Sequence, residues 1–109
     1  MILWLSLIVG NFYNWSEKNV NAVKEEPAKY ELYDGTRTLI YIGSTGNLSE
    51  RFKGYWSTNF MDNKCKQGTR SYKRLYLGSE QRASELEEEN LTEYRIRSGR
   101  LPACNQKAI

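Results

Sequence analysis

The chain has 109 residues, a formal charge of +3, 39% hydrophobic and 27% charged residues, two Cys and no His. That length makes about one domain, which buries roughly two thirds of the surface its unfolded form exposes, and the composition is that of a globular chain rather than a disordered one. With no His, and with Cys65 and Cys104 far apart, a zinc-ligand pattern is excluded.

Taken from the N-terminus, Met1 to Gly10 is an apolar run, too short for the roughly 20 residues that span a bilayer and without a positive n-region. It is read as a buried strand or a dimer contact, with a signal-like or membrane-associated segment as the alternative. Ser16 then caps a short helix whose apolar side carries Val20 and Val23, ended by Pro27. Residues 1–26 thus form an apolar segment and a packing helix ahead of a main unit over 27–109, within one compact domain.

The main unit opens with a predicted hairpin: a strand from Tyr30 to Tyr33, a turn at Asp34-Gly35, and a strand from Leu39 to Ile42. Gly43 to Gly46 reads as a tight loop. Asn47, with Glu50 three residues on, starts a helix of about three turns in which Leu48, Phe52 and Tyr55 form the buried stripe, with Arg51 at its edge. A polar loop follows, and Ser71 to Leu77 reads as a third strand covered on one face. Ser79 caps a long helix over Glu80 to Ile96, closed by Ser98-Gly99, and an extended segment beyond Pro102 returns to the sheet. The predicted fold class is α/β: a small three-stranded, mostly antiparallel sheet flanked by helices, with an aromatic-rich core built from eight Tyr, three Trp and three Phe.

Charge is unevenly distributed. Between Glu80 and Glu93 lie one Arg and six Glu, a net of −5, so the rest of the chain carries +8 against the overall +3. From Arg51 to Arg74, seven Lys or Arg face only Asp62. Such a face suits a polyanion, because neutralised phosphates release condensed counterions; a solvated basic surface is the plainer alternative. Lys53, Lys64, Lys66, Arg70, Lys73 and Arg74 are the candidate DNA contacts, with Tyr55, Trp56 and Tyr72 interleaved. For Trp56 partial packing is favoured over stacking on a base. RNA is not excluded as a ligand.

On the long helix, Ala83, Leu86, Asn90, Leu91 and Tyr94 share one side, and Glu87 sits inside that side while Glu85, Glu88 and Glu89 point away. A carboxylate there calls for a partner, either a base such as Arg51 or a cation. Cys65 lies in a loop between Lys64 and Lys66, and both cysteines are read as free thiols of a cytoplasmic protein.

The hairpin and the helix after it resemble the core of the GIY-YIG nuclease family, over about Tyr30 to Asn105. The second motif is intact as Tyr41-Ile42-Gly43, whereas the first retains Tyr30 but has Ala28-Lys29 where the family has Gly-Ile. Arg51, eight residues beyond Gly43, matches the family's helix arginine. Glu87 matches its metal-binding glutamate, and Asn105 the late asparagine that supports the site. Tyr55 stands where many members carry His; a Tyr at that place is similar to the incision subunit of bacterial excision repair, whereas Ser44 after the Gly resembles the phage homing enzymes.

The resemblance implies hydrolysis of DNA phosphodiester bonds, leaving a 5′ phosphate and a 3′ hydroxyl, with one Mg²⁺ or Mn²⁺ on Glu87. Tyr30 or Tyr41 would activate water, with Tyr55 as a possible sharer of that role, and Arg51 would brace the phosphate. Branched or damaged DNA is the implied substrate class, and a homodimer or a separate targeting subunit would supply specificity. The reading from a different class is a catalytically idle nucleic-acid-binding or assembly module of the same fold.

Overall fold

The computed structural model describes residues 10–106. The reading of the apolar start as a strand or dimer contact therefore lies outside the described residues, except for Gly10. The elements are β1 (Tyr13–Asn14), α1 (Glu17–Ala22), β2 (Ala28–Tyr33), β3 (Leu39–Thr45), α2 (Leu48–Thr58), β4 (Ser71–Tyr76) and α3 (Glu80–Ser98), with short 3₁₀ turns at Phe60–Asp62, Lys66–Gly68 and Ala103–Asn105.

The sheet has four strands in the order β1-β4-β2-β3, not three, and every pairing is antiparallel. The added strand is only two residues long, with Tyr13 opposite Tyr72 and Asn14 opposite Ser71. It has no period of its own in the sequence; Tyr13 is placed by stacking on Tyr72, with ring centroids 5.5 Å apart.

The three helix starts follow local chemistry. Ser16, Asn47 and Ser79 each accept a hydrogen bond from the backbone N–H three residues on, which satisfies a donor with no partner inside the helix. Gly99, at φ +81°, closes α3 in the left-handed conformation that a glycine adopts without penalty.

One segment differs from the sequence reading, and one is refined. The hairpin turn lies at Asp34-Gly35 as expected, closed by the Arg37 N–H on the Asp34 carbonyl at 3.0 Å, and its left-handed residue is Arg37 (φ 60°). The Asp34 carboxylate organises it, accepting from the Thr36 and Thr38 N–H groups and the Thr36 hydroxyl, and these bonds hold its pKa below the usual carboxylate value. Gly43 to Thr45 continues the strand instead of looping, since Lys29 pairs with Ser44 and Ala28 with Thr45.

The two faces of the sheet bury different chemistry. On one, Ala28, Tyr30, Leu32 and Tyr72 meet Leu48, Phe52 and Tyr55 of α2 and Val20 and Val23 of α1 and its end. This core is aromatic: Phe52 meets Tyr72 edge-on at 4.9 Å and Tyr30 at 5.4 Å, and Trp15 stacks on Phe60 at 5.0 Å. The other face lies under α3. Ala83 and Asn90 are its buried residues, and Glu85, Glu88 and Glu89 are exposed as their helical positions predict.

Of the Ala28-Lys29 departure from the family motif, Ala28 packs in the aromatic core and Lys29 is accommodated on the α3 face. Lys29 and Glu31 are both 0% exposed and form a buried ion pair, and the Tyr33 hydroxyl donates to Glu31 Oε1 at 2.6 Å. Burial lowers the Lys29 pKa and Glu31 opposes that shift; burial likewise raises the Tyr33 hydroxyl, with the neighbouring carboxylate adding to it. These three residues alternate along one strand, so they share a face.

The cysteines are not free thiols. The fold brings the loop after α2 to the segment after α3, and Cys65 and Cys104 are joined by a disulfide with Cα atoms 5.6 Å apart. The thiol argument for a cytoplasmic setting falls with it. Among the described residues no helix is long and apolar enough to cross a membrane.

The buried trio yields a test by denaturant unfolding. Glu31→Leu should cost about 3–5 kcal/mol, because it leaves the Lys29 ammonium without its carboxylate. The combined Lys29→Ile, Glu31→Leu, Tyr33→Phe variant should recover to within about 1 kcal/mol of the parent, since apolar replacement removes the desolvation cost with the pair. A triple variant as unstable as the single one would refute this account.

Candidate active site

The site forms where the free edge of β3 meets the N-terminal half of α2. The β2–β3 register sets Tyr30 opposite Gly43, so Tyr30 and Tyr41 lie on the α2 face of neighbouring strands. A Cβ on Gly43 would stand 2.6 Å from Tyr30 Cζ, 2.6 Å from Tyr41 Cε2 and 2.7 Å from the Tyr30 hydroxyl. The two rings therefore close over the glycine, with centroids 6.0 Å apart. Only hydrogen fits beneath them.

Helix α2 supplies the next two groups from one side. Tyr55 lies one turn beyond Arg51 and its hydroxyl is 2.7 Å from that of Tyr30, while Arg51 Nη1 donates to the Tyr30 hydroxyl at 3.0 Å and to the Ser44 carbonyl at 3.4 Å. Tyr30 is fully buried and Tyr41 is half-buried. Burial pushes the Tyr30 hydroxyl well above the ordinary tyrosine value, and the hydroxyls of Tyr55 and Tyr41 add to the rise. Tyr41 is raised by burial and by Tyr55, with Lys66 acting against them. For Arg51, burial works against the charge, but the oxygens of Tyr30 and Tyr55 outweigh it and its pKa rises.

Glu87 arrives from the opposite face of the sheet. It is half-buried on α3, and its Oε1 accepts a hydrogen bond from the Ser44 hydroxyl. Ser44 thus links the two halves, with its carbonyl toward Arg51 and its hydroxyl toward Glu87. Glu87 takes part in neither of the ion pairs Lys29–Glu31 and Lys64–Asp62. Asn105 holds the edge of the strand as a further strand would: its Nδ2 donates to the Ile42 carbonyl at 2.9 Å and its Oδ1 accepts from the Ile42 N–H at 2.8 Å. It does so from a 3₁₀ turn, not from the extended segment expected.

The described residues include no group of three His, Cys, Asp or Glu side chains that could hold a metal ion. The donors at hand are the Glu87 carboxylate and the Ser44 hydroxyl. That set fits Mg²⁺, which dehydrates reluctantly and usually rests on one or two carboxylates together with waters and substrate phosphates.

The basic stretch does not form one face. Lys53, Lys64 and Arg70 are exposed, with Lys64 3.7 Å from Asp62. Adjacent in β4, Lys73 and Arg74 point to opposite sides of the sheet. Lys73 lies 4.5 Å from the Phe12 ring centroid, whereas Arg74 lies between the rings of Tyr13 and Tyr76, at 4.7 and 5.0 Å. Lys66 turns inward to the tyrosines, with Nζ 3.3 Å from the Tyr55 hydroxyl. Trp56 is 41% exposed and leans on Trp15 at 6.1 Å, which agrees with partial packing. Ser44 as the link to Glu87 and Lys66 as a neighbour of Tyr41 are the two site features that sequence reasoning missed. Strand alternation past Gly43 would have placed Ser44 on the α3 face; nothing local marks Lys66.

No family model matches the chain, and no curated protein matches it by sequence. Among solved structures it is similar to the GIY-YIG N-terminal endonuclease domain of UvrC from Thermotoga maritima bound to its catalytic divalent cation, magnesium. The identity is 23% and the TM-score 0.65, over 82% of this chain and 93% of that one. A point variant of that domain, also bound to its catalytic divalent cation, gives 22% identity and a TM-score of 0.66 over 83% and 93%. The chain has the GIY-YIG nuclease fold.

The glycine supplies a direct test. Gly43→Ala should destabilise the protein by about 2–3 kcal/mol through overpacking and displace one of the two rings. Denaturant unfolding and the ring resonances of Tyr30 and Tyr41 check it; an unchanged midpoint with unchanged rings would contradict the crossing.

Proposed function

We propose that this chain is a divalent-metal-dependent endonuclease that hydrolyses DNA phosphodiester bonds. The observation that carries the reading is Ser44, which ties Arg51 and Glu87 together at the strand end where Tyr30, Tyr41 and Tyr55 converge. A hydrolysed phosphodiester needs a group to take the proton of water, positive charge on the phosphate oxygens, and help for the leaving oxygen.

Tyr41 is the better candidate for the base. Tyr30 is fully buried and its hydroxyl is already shared with Tyr55 and Arg51, so it positions rather than reacts. Tyr41 is half-buried on the edge strand, and its hydroxyl takes no part in the bonds that Tyr55 and Arg51 make to Tyr30. Arg51, fixed from both the Tyr30 hydroxyl and the Ser44 carbonyl, braces the phosphate. Glu87 would hold a single Mg²⁺ or Mn²⁺, which supplies Lewis-acid stabilisation of charge on the phosphate and leaving oxygens.

For the substrate, the exposed cations Lys53 and Arg70 lie on the α2 side with Trp56. An open recess of about 290 Å³ between Trp15, Trp56, Gln67 and Arg70 adjoins Tyr55. An open groove along α3 instead follows Glu85, Glu88, Glu89 and Glu93, and its charge disfavours a phosphate backbone. Branched or damaged DNA remains the proposed substrate class, with a second copy or a separate subunit to target it.

With Mg²⁺ or Mn²⁺, the parent should nick supercoiled, branched or flapped DNA. Glu87→Ala and Tyr41→Phe should each lower the cleavage rate by on the order of 10²-fold or more, and a chelator should abolish it. Cutting by Glu87→Ala at the parent's rate would remove the metal assignment. A parent that binds these DNAs but cuts none with either metal would favour the idle module instead. Binding is tested separately: Lys53→Glu with Arg70→Glu should weaken affinity and flatten the salt dependence by about two phosphate contacts, and an unchanged salt titration would move the DNA surface elsewhere.

A further inference from the structure

The loop between α2 and β4 carries a cation into the tyrosine cluster. Lys66 Nζ lies 3.3 Å from the Tyr55 hydroxyl, 3.9 Å from the centroid of the Tyr41 ring and 5.1 Å from that of Tyr55. Arg51 meets the cluster separately, at the Tyr30 hydroxyl. The three phenol rings are therefore contacted by two cations from different elements.

A lysine in a surface loop ordinarily wanders, but the backbone of Lys66 is held from both directions. Its N–H donates to Asn63 Oδ1 at 3.0 Å, and its carbonyl accepts from the Thr69 hydroxyl at 2.7 Å and the Thr69 N–H at 3.0 Å. The residue before it, Cys65, is bonded to Cys104, and the residue after Cys104 is Asn105, which grips both backbone groups of Ile42. The disulfide thus unites two arms that reach the same short stretch of β3. One arm covers the Tyr41 ring and the other fixes the backbone of the next residue.

We propose that Lys66 is a positioning residue of this site, held over Tyr41 and against Tyr55 by the Cys65–Cys104 clamp, and not a phosphate contact of a mobile basic loop. The proposal rests on the nuclease reading for its kinetic consequences, but not for its geometry. The groups around the Tyr41 ring are Tyr30 from β2, Tyr55 from α2, Glu87 from α3 and Lys66 from the loop. Lys66 is the cation of this set. It attracts the ring face and favours a negative oxygen on the tyrosine over a neutral one.

The test uses the full chain with Lys66→Met, Lys66→Arg and the Cys65→Ser, Cys104→Ser pair. In Lys66→Met the single-turnover cleavage rate at saturating DNA should fall on the order of ten- to hundred-fold, with the rising limb of its pH profile displaced to higher pH. Metal-free DNA affinity should change by less than about three-fold, since at most one phosphate contact is at stake. Lys66→Arg should recover most of the rate, and the serine pair should lose rate in the direction of Lys66→Met. Lost affinity with an unchanged saturating rate would overturn the proposal and leave Lys66 as a phosphate contact.

A readout independent of cleavage separates this from failure of the nuclease reading. With ring-labelled tyrosine, Lys66→Met and the serine pair should both move the Tyr41 and Tyr55 resonances and leave that of Tyr13 in place. If the parent cuts no DNA and these shifts still occur, the nuclease reading falls and the placement of Lys66 stands. If the shifts are absent, the placement itself is wrong.

Discussion

The structure turns on a missing side chain. Two strands of a hairpin bring a tyrosine each to the same face, and their rings have room to close only because the residue opposite Tyr30 is Gly43. From that crossing the rest of the site is built outward. The Tyr30 hydroxyl becomes the shared atom of Tyr55 and Arg51, which fixes the rotation of α2 against the sheet. A hydroxyl so deeply buried would be costly alone, and its two partners satisfy it. Tyr30 is in this sense the keystone of both the core and the candidate site: it touches Phe52 on one side and bonds Tyr55 and Arg51 on the other.

The opposite face of the same strands solves a different problem. Where the family motif begins with Gly-Ile, this chain has Ala28-Lys29, and a lone buried lysine under a helix would be ruinous. Glu31, two residues on and therefore on the same face, neutralises it, and the Tyr33 hydroxyl donates to the other carboxylate oxygen of Glu31. The altered motif is divided between the faces: Ala28 is buried on the α2 face beside Tyr30, where it adds one methyl to the core, and Lys29 lies on the α3 face. The charge it introduces is absorbed on the side of the sheet away from the site tyrosines.

Features written in local chemistry were legible in the sequence. The caps at Ser16, Asn47 and Ser79 depend on residues three apart, the α2 stripe on a helical period, and Glu87 on its place within the apolar side of α3. Features set by distant parts of the chain were not. β1 is two residues long and exists because Tyr13 meets Tyr72, and the Cys65–Cys104 bond exists because the topology returns the C-terminal segment to the end of β3. The Gly-Ser-Thr-Gly stretch after Tyr41-Ile42 was misread for an instructive reason. Small and polar residues signal a turn by propensity, yet here the glycine is demanded by two overlying rings and the serine by a carboxylate on α3, both within a continuing strand.

β3 is the edge strand, and an edge is an exposed ladder of unpaired backbone groups that invites another strand. Here the edge also carries Tyr41, and its register must be prevented from slipping. A one-residue slip would carry Tyr41 to the other face and place a side chain under Tyr30. Asn105 pins the register by pairing with a single residue, Ile42, using one side-chain amide in place of a whole strand. Its leverage depends on where the C-terminal segment is anchored, and that anchor is the disulfide one residue earlier. The covalent bond, the amide and the glycine therefore act on one quantity, the register of β3 against β2, and through it on the distance between the two tyrosines.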